Sequence, residues 1–238
     1  VYEEADPGFF VGIGKTLSGA FIIIDAHDHE TSEVRVIAAD DPGAPPRLIA
    51  ARQPGVEYSI DHHGQRFFIL TNAQGAEDFC IMEAPADAPQ PENWKAFVPH
   101  RPGRLILGTE AFARHLVWLE RENGLPRIAV KEFASGAEHV ISQDEEAFSL
   151  GLAGSLEFDT DTLRFTYSSP TTPAEVFDYD MTARSRVLRK RQEVPSGHNP
   201  ADYVTRRVLA PAADGETVPV TLLYRKDTKL DGSAPCWL

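Results

Sequence analysis

Short apolar runs that recur every 45 to 49 residues limit what this chain can fold into more than any other property of its sequence. They begin at Phe21, Phe67, Leu116 and Phe165, at intervals of 46, 49 and 49 residues. A second set follows, in EVRVI at Val34, DFCIM at Phe79, RIAVK at Ile128 and EVFDY at Val176. A third closes each unit, in RLIA at Arg47, WKAFV at Trp94, EHVI at Glu138 and RVLRK at Arg186. A leading run precedes them, clearest in FFVGIG at Phe9 and VEYSI at Val56. Short apolar runs bounded by Gly, Asp, Asn or Ser read as strands, and the 18 prolines interrupt most long helices. Four strands every ~47 residues is the period of a β-propeller blade. A β-sandwich also gives frequent strand signals, but it need not repeat them in fours.

The expected fold is therefore all-β, with residues 8–191 forming four consecutive four-stranded antiparallel blades. A closed ring more often has more than four blades. The first residue is Val1 rather than Met, so blades on the N-terminal side are expected in a longer parent protein. Three segments are expected: blades over 1–191, a Pro/Gly/polar linker over 192–202, and an incomplete second domain over 203–238. The third opens with apolar alternation over Tyr203–Ala210 and Val218–Tyr224 around Asp214-Gly215, a strong hairpin turn signal.

Net charge is −13, which disfavours broad binding to nucleic acid or anionic membranes and suits cationic ligands. The longest aliphatic run, Phe21 to Ile24, is far shorter than the ~18 apolar residues of a membrane span. The two cysteines, Cys80 and Cys236, lie far apart, and no secretory leader pattern is visible. A cytoplasmic setting is expected, with the periplasm also compatible.

Several short motifs imitate catalytic sites. GFFVGIGKT at 8–16 imitates a phosphate-binding loop, but its first glycine is one residue too early and a strand, not a helix, follows Thr16. Asp159 and Asp161 in FDTDTL imitate an aspartyl-nucleophile pair, yet the next residues form another strand. They read as turn aspartates bonding their own backbone, like Asp61 in DHHGQ at 61–65. His27 and His29 could share a strand face and grip a metal, with His62 and His63 as further ligands. No cysteine joins them, and exposed loop histidines are expected instead. No serine has glycine at both −2 and +2, the pattern of a nucleophile elbow. Ser155 and Ser196 merely adjoin a glycine. Arg184, Arg186, Arg189, Lys190 and Arg191 are expected on a solvated outer strand that discourages edge pairing. No catalytic residue, metal site or cofactor site is assigned to the chain, and its substrate-contacting residues are not identified.

Five segments carry a family resemblance: EYSIDHHGQRFFILTN at 57–72, ENWKAFVPHRP at 92–102, EFDTDTLRFTYSSPTTPAEVFDYDM at 157–181, KRQEVPSGHNPADY at 190–203 and ADGETVPVTLLYRKDTKLDGSAP at 213–235. They closely resemble the oligopeptidase B branch of the prolyl oligopeptidase family of serine peptidases. The resemblance implies a seven-bladed propeller covering an α/β-hydrolase domain that cuts short peptides after Lys or Arg. This chain would then carry the later blades, the linker and the first hydrolase strands, with the Ser, Asp and His of the triad all beyond Leu238. Its expected partners are short basic peptides, through the full enzyme, and its own hydrolase domain. Self-association, by dimers or domain-exchanged contacts at the first blade or at the 203–224 hairpin, is a further expectation. The competing class is a stand-alone propeller that binds a protein partner.

Overall fold

The computed structural model describes residues 2–237. Four antiparallel meanders follow one another along the chain, each with its strands in sequence order. The first blade comprises β1 (Phe10–Lys15), β2 (Phe21–His27), β3 (Ser32–Ala38) and β4 (Arg47–Ala50). The second comprises β5 (Tyr58–His63), β6 (Arg66–Thr71), β7 (Cys80–Pro85) and β8 (Lys95–Val98). β9 (Arg104–Ala111), β10 (His115–Glu122), β11 (Leu125–Glu132) and β12 (Glu138–Val140) form the third. β13 (Ser149–Leu152), β14 (Thr162–Ser168), β15 (Glu175–Asp180) and β16 (Ser185–Arg191) form the fourth. The hairpin of β17 (Tyr203–Pro211) and β18 (Thr217–Arg225) stands apart as a two-stranded sheet. Its turn uses Gly215 at φ 91°, where a side chain would be strained.

Successive strand residues point to opposite faces, and this alternation distributes one strand between two cores. In β6, Phe67 and Ile69 join Val34, Val36 and Tyr58 between the first two blades. Phe68 and Leu70 of the same strand join Ile106, Leu116 and Trp118 between the second and third. In β10, Leu116 and Trp118 face backward, while Val117 faces forward onto Leu163, Phe165 and Tyr167 of β14. A strand covered on both faces therefore reads as an unbroken apolar run, and one covered on a single face alternates. β14 alternates: Leu163, Phe165 and Tyr167 are buried, and Thr162, Arg164 and Thr166 are exposed. Its outer face carries a charge ladder in which Asp178 pairs with Arg164 at 2.7 Å and Arg189 at 2.7 Å. The first blade ends differently. Val11 is 52% exposed and Ile13 80% exposed on the face that turns away from β5.

Three blades carry a bulge at the same place, where the third strand meets the fourth: Val34/Arg35, Ile81/Met82 and Val176/Phe177. A bulge leaves ladder groups unpaired and strengthens local twist. Next to the first of these, the buried Tyr58 hydroxyl of β5 supplies the missing partners. It accepts from Val34 N at 2.7 Å and Ala50 N at 3.1 Å and donates to Ala50 O at 2.7 Å. Burial pushes the Tyr58 pKa up to about 12. Ser32 Oγ completes the joint, donating to Tyr58 O at 2.8 Å and lying 2.6 Å from its N–H donor.

Tyr58→Phe keeps the ring and strands three buried backbone groups. It should cost about 2–3 kcal/mol, read as a lower urea midpoint with an unchanged slope.

Candidate functional site

The first strands of the second and third blades, β5 and β9, are edge strands of their sheets and lie side by side, which makes this the inner edge of the two blades. Two adjoining hollows of about 610 and 400 Å³ run along them and share Ile23, Ser59 and Ile60. One is rimmed by Asp25, His27, Asp28 and Glu57. The other holds Lys15, Asp61, Thr109, Glu110 and Ser155. Lys15, Asp61 and Glu110 occupy equivalent places, since their spacings of 46 and 49 residues are the intervals of the repeat itself.

Asp61 is buried in the second half of β5. Its Oδ2 accepts from Ala111 N of β9 at 2.7 Å, and its Oδ1 accepts from His62 N at 2.8 Å. Burial pushes its pKa up, against the opposing pull of the Ala111, His62 and Leu17 amides. Glu110 is likewise pushed up by burial, with the Asp61 charge adding to it, while the Ser155 hydroxyl donates to its Oε2 at 2.8 Å and pulls the other way. The inner groove is thus acidic and partly dry, a setting in which a cationic side chain gains more from a carboxylate than it would in water.

Residues that imitate other chemistries are engaged elsewhere. Lys15 ends β1, and Thr16 opens the turn into β2, so the phosphate-loop imitation is a β-hairpin. Asp159 and Asp161 do lie before a strand, but both pair with Arg114 of the neighbouring blade, at 2.6 and 2.8 Å, rather than with their own backbone. Contrary to the loop placement, Asp61, His62 and His63 belong to β5, with Asp61 and His62 buried, the turn itself is Gly64-Gln65, and His27 is the last residue of β2. The four histidines do not converge. His27 bonds Asp25 at 2.9 Å, His29 packs on Phe10, His62 meets Ser18, and His63 bonds Ala113 O at 2.9 Å. Among the described residues no group of three His, Cys, Asp or Glu side chains is arranged for a metal ion.

Ser18 Oγ lies 2.9 Å from His62 Nδ1, a nucleophile-to-base distance. Yet the same oxygen accepts from Ala20 N and bonds Thr16 Oγ1, while the ring packs edge-on against Phe21 and Phe67. The pair clasps a turn of the first blade to β5. Every residue of β16 is exposed, and its cations pair mainly within the blade, Arg189 with Asp178 and Arg191 with Glu175.

Glu110 holds its proton more tightly in the folded chain than its ordinary value of 4.5, so its ionisation destabilises the fold as pH rises past that value. Glu110→Gln removes this penalty. Urea unfolding between pH 4.5 and 7.5 should show the stability of the variant relative to the native chain growing with pH; a constant difference would contradict the assignment.

Residues 1–192 match the family described as the prolyl oligopeptidase N-terminal β-propeller domain. Dipeptidyl aminopeptidase BI of Pseudoxanthomonas mexicana is 42% identical over 236 residues, which is 99% of this chain and 32% of that protein. Protease 2 of Moraxella lacunata is 28% identical over 99% of this chain and 33% of its own. The solved structure of oligopeptidase B from Leishmania major superposes with a TM-score of 0.88 at 28% identity, covering 97% of this chain and 34% of that one. The chain thus spans about a third of the length of the relatives it matches. With four four-stranded blades and a family match over residues 1–192, it belongs to the prolyl oligopeptidase family, as part of its N-terminal propeller domain.

Proposed function

We propose that this chain is the propeller portion of a longer serine peptidase that cuts short peptides after Lys or Arg, and that its blades form a cover admitting thin, flexible chains. The observation that carries this reading is the acidic inner groove, where Asp25, Asp28, Glu57, Asp61 and Glu110 line a passage between blade edges. Carboxylates with low-dielectric walls concentrate cationic side chains, and a rigid blade edge excludes folded protein. The likeness to protease 2 and to oligopeptidase B supports the choice of substrate. Bond cleavage falls to the remainder of the parent protein, because acyl transfer needs nucleophile, base and oxyanion donors in one place. The free cysteines, buried Cys80 and exposed Cys236, suit a reducing compartment.

The 42% identity to a dipeptidyl aminopeptidase favours a second reading, release of dipeptides from a free amino end. Fluorogenic peptides with Arg before the reporter separate the two. The full parent protein should hydrolyse the N-blocked peptide, and this 238-residue chain alone should hydrolyse none. Activity confined to unblocked Xaa-Arg substrates would establish the second reading. Turnover by the purified chain, blocked by a serine-directed phosphonate, would overturn both.

We propose further that the isolated chain self-associates through the open face of its first blade, where Val11 and Ile13 are exposed beside half-buried Ile22 and Ile24. Ile13→Lys should shift light-scattering mass toward the monomer; an identical mass for both proteins across concentration would refute it.

A further inference from the structure

Adjacent carboxylates on the strand-free segment between β12 and β13 reach in two directions. Glu145 is enclosed by hydroxyls from the end of β14 and from the β14–β15 loop. It accepts from Tyr167 Oη at 2.6 Å, Thr172 Oγ1 at 2.8 Å and Thr171 Oγ1 at 2.9 Å. These donors hold it charged, keeping its pKa below the ordinary value although burial opposes them. They all come from TYSSPTTP at 166–173, a segment of sequence with no other chemistry assigned. The loop so fixed presents the Thr171 carbonyl, which accepts from His198 Nε2 of the linker at 2.7 Å. His198 in turn stacks on Tyr203, the first residue of β17.

Glu146 points to the hairpin itself. Its Oε1 accepts from Arg206 Nη1 at 2.6 Å and its Oε2 from Arg207 N at 2.9 Å. Arg207 and Pro219 also lie against the β10–β11 turn, where a Cβ on Gly124 would stand 3.0 Å from Arg207 Nη2. A two-stranded hairpin is marginal by itself, so these contacts decide whether it stays docked on the blades.

We propose that Glu145 and Glu146 form a two-armed latch that positions the linker and the β17–β18 hairpin against the third and fourth blades. Glu146 grips β17 directly. Glu145 acts through the Thr171 carbonyl and His198, fixing where the linker leaves the blade. The two are positioning residues, and releasing either frees a different segment. The arms also differ in salt response. Glu146 forms an exposed ion pair that is screened at high ionic strength, whereas the hydroxyl donors around Glu145 are neutral.

Hydrogen exchange followed by mass spectrometry on the complete 238-residue chain tests this. Glu146→Gln should speed exchange across residues 203–225 by about three- to fivefold, the scale of an exposed charged pair, and leave residues 20–130 unchanged. In the native chain, 1 M salt should reproduce that effect. Glu145→Ala should speed exchange at residues 169–172 and 197–203 by about tenfold, with several hydroxyl bonds lost, and salt should not reproduce it. If Glu146→Gln does not fold, Arg206→Gln removes the same contact from the other side and should match it. Unchanged exchange at 203–225 in the folded Glu146 or Arg206 variant overturns the latch. So does loosening that spreads equally through all four blades.

Discussion

A four-stranded blade has two faces and too little chain to cover either of them. Burial therefore comes only from the next blade, and the rest of this structure follows from that requirement. The three cores lie between blades and not within them, with Phe67 and Phe68, neighbours in sequence, buried in different ones. Each interface depends on the unit before it and the unit after it, as in other repeat architectures. Polar joints are placed where the interfaces would otherwise leave backbone groups stranded. Tyr58 reaches from β5 into the bulge of the preceding blade, and Asp61 reaches from β5 to the end of β9 in the following one. One inner strand thus ties three units together.

The same economy shapes the inner groove. Apolar side chains such as Ile23, Ile60 and Leu105 line much of it, and the equivalent positions 15, 61 and 110 are occupied by Lys, Asp and Glu. A chain that only needed to pack would gain by avoiding buried carboxylates, whose ionisation costs stability. Asp61 offsets part of that cost by accepting from Ala111 N and His62 N, and Glu110 by accepting from Ser155 Oγ.

The strands were legible in the sequence because period two and a repeat of ~47 residues are independent signals that agree. Every run that marks a repeat overlaps a strand, down to the hairpin around Gly215, although residues such as Val56, Phe79 and Trp94 fall just before theirs. The polar site was harder to read. Asp61 stands beside two histidines and a glycine, the composition of a turn, and only its 49-residue spacing from Glu110 distinguishes it. Ser18 and His62 are 44 residues apart, and Glu146 and Arg206 are 60 apart. Such pairs are set by how blades stack, which no local pattern records. The bulge that Tyr58 fills is equally invisible, since nothing in EVRVI marks where the ladder slips.

The charge ladder across Arg164, Asp178 and Arg189 gives the stack a direction. Solenoid proteins end in capping repeats with a polar outer face, which stop neighbours from adding. The fourth blade has this character, and the first has the opposite, with Ile13 bare on its outer side. Among the described residues the two end blades thus differ in character: the outer face of the fourth is polar and ion-paired, and that of the first is apolar and bare. A body packing on the first blade would meet aliphatic side chains, and one packing on the fourth would meet charges already neutralised by their neighbours.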